Sequence, residues 1–189
     1  HRRRAVSVGA ATRQDDTSGA VVLTGRKRAE TGPGYARPLP TPCPHTMTAL
    51  TWNESLALNN AQMDRTHEEF VALLAATAAA LPGPEADLLQ AFELLTLHTV
   101  EHFAQEDRWM AATGFAADNC HAYQHQAVLA VMQECVKRAQ EGADFEPLRL
   151  AVDELAIWFP QHAQSMDAAL AQHLQGVGFD AASGQCSRA

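Results

Sequence analysis

From residue 60 onward the sequence divides into four long stretches of helical period, separated by short breaks rich in Pro, Gly and Asp. Each stretch carries histidine or carboxylate on the stripe where leucine would ordinarily face a core. The first is expected from about Asn60 to Ala80, ending before Leu81-Pro82-Gly83-Pro84. The second should run from Pro84 to about Ala112, with Pro at a favoured first-turn position and Gly114 placed to cap its end. The third starts near Asp118, an N-cap residue type, and stops before Gly142. The fourth opens near Asp144-Phe145-Glu146-Pro147 and continues to about Leu174. Connections this short imply antiparallel neighbours. The expected fold is therefore all-α, an up-down-up-down antiparallel four-helix bundle.

The length of 189 residues, 47% of them hydrophobic, suits one such core, and the abundance of Ala and Leu over aromatics favours helix over β-sandwich.

The inward stripe of the second stretch reads Ala91, Leu95, His98, His102, Glu106 and then Trp109 or Met110, and that of the third reads His121, His125, Val128, Met132 and Cys135. A polar group in a bundle core costs about 1–3 kcal/mol for a lost hydrogen bond, and more if it is charged. One His-x-x-x-Glu or His-x-x-x-His alone is more often surface decoration or a hydrogen-bonded core pair. Here all four stretches contribute at matching depth. His67 lies early in the first, His102 and Glu106 late in the second, His121 and His125 early in the third, and His162 and Asp167 late in the fourth. Antiparallel packing brings all seven to one end. Five imidazoles and two carboxylates there suit a pair of first-row transition ions, because imidazole supplies neutral borderline donors and each carboxylate can bridge two cations.

Four motifs carry a resemblance: Met63-Asp64-x-x-His67-x-x-Phe70, His102-Phe103 followed by Glu106-Asp107-x-x-Met110, His121-x-x-x-His125, and Trp158-x-x-x-His162-x-x-x-x-Asp167. From about Leu50 to Leu174 the chain resembles the hemerythrins, in particular the single-domain bacteriohemerythrins. The resemblance implies two iron ions in a non-haem di-iron centre with an oxo or hydroxo bridge. It also implies reversible dioxygen binding, as carrier, store or sensor, without enzymatic turnover. His121, His125 and His162 would hold one iron, His67 and His102 the other, with Glu106 and Asp167 bridging. The same residues would serve the alternatives, peroxide or nitric-oxide handling or iron donation. Ferritin-like di-iron bundles use Glu-x-x-His pairs, and this sequence has none.

Three residues depart from the family pattern. His98 stands one turn before His102, where Tyr is usual, and is expected to hydrogen-bond near the site and not to join it. Phe159 stands where Leu usually faces the dioxygen pocket. It is expected to be a core aromatic, and would narrow that pocket if it faced the open iron. Pro160 falls inside the fourth helix, where a proline removes a hydrogen bond and clashes with the carbonyl of Ala156, so a kink is expected. Five residues of α-helix turn about 500°, so Asp167 should sit about 140° from His162 unless the helix unwinds locally.

Charge divides near Met47, the first methionine. Residues 1–46 hold eight Lys/Arg against three Asp/Glu, and residues 47–189 hold six against nineteen. Residues 1–46 are expected to be a disordered basic extension, with Met47 a candidate true start. Residues 47–175 then form the hemerythrin-like domain and residues 176–189 a flexible tail. The acidic domain is not expected to bind nucleic acid. No 18-residue apolar run is present, so no membrane association is expected. The four cysteines form no close pair, consistent with a cytoplasmic protein. Cys120 adjoins His121, but a helix turns it away, and a buried structural role is expected for it. No signalling domain is recognised, so sensing is expected to need a separate, unidentified protein partner.

Overall fold

A computed structural model describes residues 50–115 and 120–186. The basic extension, Cys43, Met47 and the expected cap Asp118 lie outside the described residues. A single turn of 3-10 helix at Glu54–Leu56 precedes α1 (Ala61–Ala80), α2 (Glu85–Thr113), α3 (Cys120–Gly142) and α4 (Glu146–His162). A wide turn of π-helix (Ala163–Asp167) follows and leads directly into α5 (Ala168–Gly176), so the fourth rod of the bundle has three parts. α1 packs on α2 and α4, and α3 packs on α2 and α4, closing a ring of four antiparallel rods.

The ends of the helices follow local chemistry. Asn60 caps α1 by accepting from the N–H groups of Gln62 and Met63 at 3.2 and 3.3 Å. Asp64, one turn in, accepts from the N–H of Leu58 at 2.7 Å and so fixes the angle at which the chain enters the helix. α2 closes on Gly114 at φ 70°, a left-handed position that costs glycine least. At the far end of the bundle Arg149 donates to the carbonyl of Leu81 at 2.6 Å, tying the start of α4 to the end of α1.

Two apolar clusters form the core. The larger contains Phe70, Leu74, Leu88, Phe92, Leu95, Met132, Leu148, Leu155 and Phe159. The smaller contains Met63, Trp109, Met110, Leu170, Leu174 and Phe179. His67 falls between Met63 and Phe70 in the sequence, and Glu106 falls between Leu95 and Trp109, so the polar cluster occupies the layer between the two. Residues after 175, expected to be a flexible tail, carry structure of their own as far as Cys186. β1 (Phe179–Asp180) pairs antiparallel with β2 (Gln185–Cys186), and the buried Phe179 ring packs in the smaller cluster. An isolated aromatic in a polar tail gives no periodic signal, which is why the hairpin is not visible in the sequence.

No helix among the described residues is long and apolar enough to cross a membrane.

Candidate metal centre

Each of the seven residues singled out from sequence is buried, and all seven meet at one level of the bundle. His67 comes from α1, His102 and Glu106 from α2, His121 and His125 from α3, His162 from the end of α4 and Asp167 from the end of the wide turn. Their arrangement divides in two. Oε1 of Glu106 lies 3.1 Å from Nε2 of His102 and 3.8 Å from Nε2 of His67, and Oδ2 of Asp167 lies 3.2 Å from Nε2 of His67. The second oxygen of each carboxylate turns the other way. Oε2 of Glu106 lies 3.2 and 3.3 Å from Nε2 of His121 and His125, and Oδ1 of Asp167 lies 2.9 and 3.1 Å from Nε2 of His121 and His162.

Few of these approaches are hydrogen bonds. Eleven buried side-chain nitrogen and oxygen atoms among the described residues lack a hydrogen-bond partner, and ten of them belong to these seven residues. They include Nε2 of His67, His121, His125 and His162 and both oxygens of Asp167. Each orphaned group costs about 1–3 kcal/mol, more when charged, so the arrangement is expensive unless cations take up the lone pairs. Donor types and convergence both fit transition ions. Five donor residues gather on one side and four on the other, the two carboxylates being shared.

Electrostatics agree with a demand for positive charge. Burial pulls the His67 and His121 imidazoles down, but the facing carboxylates of Asp167 and Glu106 more than offset it, and both rise to about 9. Burial alone would raise Glu106, yet His102, His121 and His125 hold it well below the usual carboxylate range. Asp167 is likewise raised by burial and by Glu106, and brought below its ordinary value by His121, His162 and His67. In His162 burial wins, and its pKa is lowered. In metal-free protein, protons occupy part of the charge that the carboxylates invite.

Outside the cluster, two side chains orient its rings. Nδ1–H of His125 donates to Oδ1 of Asp107 at 3.1 Å, and Nδ1–H of His162 donates to Oε1 of Gln124 at 3.0 Å. Each bond fixes the tautomer that leaves the Nε2 lone pair facing inward. Sequence reasoning assigned neither residue a role. Asp107 stands in the motif beside Glu106, but its partner is on another helix, and nothing in one sequence reports that pairing.

The departures from the family pattern find places. Nε2–H of His98 donates to the carbonyl of Thr66 at 3.1 Å, so His98 ties α2 to the backbone beside His67 and stays outside the cluster. Burial, with His102 nearby, lowers its pKa. Phe159 is buried, stacks on Phe70 with ring centres 4.4 Å apart, and sets its edge against His67 at 5.3 Å. It is thus both core aromatic and wall of the site. Cys120 corrects an expectation. It is exposed, with Sγ 3.8 Å from the sulfur of Met166, and only Cys135 is buried among the described cysteines.

Residues 59–174 match the family described as Hemerythrin HHE cation binding domain. The chain belongs to the hemerythrin family. It is 39% identical over 135 residues to a bacteriohemerythrin of Ralstonia nicotianae, an alignment covering 71% of this chain and 96% of that relative. No solved structure matches the chain. The matched hemerythrin region contains all seven clustered residues, from His67 to Asp167, together with Asp107, Gln124 and His98.

Proposed function

We propose that this hemerythrin holds two iron ions and binds dioxygen reversibly, as a carrier, store or sensor and not as an enzyme. The observation that carries this is the division of each carboxylate between two groups of imidazoles. His121, His125 and His162 would hold one ion, His67 and His102 the other, and Glu106 and Asp167 both. Two ferrous ions held there would supply the two electrons that reversible dioxygen binding requires. The His67/His102 side offers one imidazole fewer, so ligand chemistry belongs there.

The chain's own residues favour reversibility over turnover. Phe159, with Phe70 stacked on it, walls the His67 side with apolar surface, and Phe103 covers His102 and His125 at ring distances of 5.2 and 3.9 Å. Such a wall admits an apolar gas while keeping bulk water, and with it proton delivery, away from the reduced ligand. A site rich in imidazole also departs from the carboxylate-rich sites of oxygen-activating bundles. The spacing of the four cysteines, with no close pair in the sequence, fits a reducing, cytoplasmic setting.

The test is spectroscopic. Protein purified without oxygen should be colourless, develop an absorption band on exposure to air, and lose it under vacuum over repeated cycles. A band that decays within one cycle, with consumption of peroxide or nitric oxide, would favour the enzymatic alternative.

A further inference from the structure

The two halves of the cluster are not braced alike. His125 and His162 each donate their outer N–H to a side-chain oxygen, of Asp107 and Gln124 respectively. Both rings are also clamped face to face, His125 by Phe103 at 3.9 Å and 5°, His162 by Trp158 at 4.4 Å and 25°. On the other half neither ring is braced, since Nδ1 of His67 and Nδ1 of His102 are buried without a hydrogen-bond partner; in the first half this holds for His121 alone, so two of its three rings are braced against none of two. The nearby bond from His98 reaches the backbone of Thr66 and neither of those nitrogens. Their rings meet edges and tilted faces: Phe159 at 90° to His67, Phe103 at 49° to His102.

A ring already fixed in tautomer and orientation loses less freedom on binding a cation, and the partner on its outer nitrogen makes the inner one more basic. The braced half also gathers more donors, five against four. We propose that the cluster fills in order, the His121/His125/His162 half taking the first divalent cation and holding it at least about 10-fold more tightly. The His67/His102 half fills second and is the one that exchanges with free metal. This rests on the reading that the cluster holds two ions. It has a consequence for metal supply: under scarcity the protein is half-filled and lacks the ion on the side where a ligand would bind, and a competing cation enters at that side.

The experiment is an oxygen-free titration of metal-free protein with cobalt(II), followed by its visible absorption and repeated with iron(II) by equilibrium dialysis. Two separable steps of one equivalent each are expected. Gln124→Leu should weaken the first step by about 10-fold and leave the second within about twofold. Gln124→Glu keeps an acceptor and should restore the first step, which separates the lost bond from damage to the fold. His67→Ala should remove the second step and keep the first. Two equivalents of equal affinity, a single cooperative step, or loss of the first step in His67→Ala would overturn ordered filling. Fewer than two equivalents in the wild type would overturn the two-ion reading, and ordered filling with it.

Discussion

Nε2 of His162 lies 3.1 Å from Oδ1 of Asp167, although five residues of α-helix would place the two about 140° apart. The chain reconciles them by widening one turn. Ala163–Asp167 is π-helical, and the N–H of Ala168 reaches back five residues to the carbonyl of Ala163. The widening begins three residues after Pro160, which is accommodated within α4. His102 and Glu106 make the same 3.1 Å approach across an ordinary turn of four residues.

The wide turn therefore acts as one inserted residue, and its removal is testable. Deleting the exposed Ser165 should restore α-helical register, leave the carboxylate about 40° from His162, and retain most of the metal. Moving the carboxylate within the intact turn, by Met166→Asp with Asp167→Ala, should lose it, because Met166 faces Cys120 and not the cluster. Metal content of both variants decides; equal retention would mean that the turn does not aim Asp167.

Phe159→Leu should quicken ligand access. The ring edges onto His67 and stacks on Phe70, so its loss opens space beside the less crowded half at a cost in stability of about 1–2 kcal/mol. Stopped-flow mixing of the reduced protein with dioxygen, and of the oxidised protein with azide, should show both rates raised with metal content unchanged. Unchanged rates would mark Phe159 as packing alone.

Metal-free protein should respond to pH where loaded protein does not. His67 and His121 rise from 6.5 to about 9 on folding. Groups raised in this way stabilise the fold fully below about 6.5, and that contribution disappears as pH climbs through about 9. The depressed carboxylates Glu106 and Asp167 act oppositely, stabilising above the ordinary carboxylate range and ceasing to do so in acid. Melting temperature of the metal-free form should thus peak in mildly acidic solution and fall by several degrees toward pH 9. With cations in place of the protons the alkaline decline should vanish. Parallel curves for the two forms would contradict this assignment of charge.

Four helices and seven clustering residues were legible because both obey periods that sequence displays directly: apolar stripes, Pro and Gly breaks, and polar residues on those stripes at matching depth. The spacing of His162 and Asp167 even signalled irregular helix, but periodicity cannot choose between a kink and a wide turn. Contacts between helices left no such trace. Asp107, although part of a motif, and Gln124 were assigned no role, because their partners are 18 and 38 residues away. Cys120 was misjudged for a similar reason, since burial at the first residue of a helix depends on what lies beside it.

Iron content tests the central claim most directly. Protein purified without oxygen and loaded with iron(II) should hold two irons per chain, and Glu106→Ala, which removes a carboxylate facing both halves, should lose most of both. One zinc per chain with no iron, or a Glu106→Ala protein that keeps two irons, would contradict a centre built on shared carboxylates.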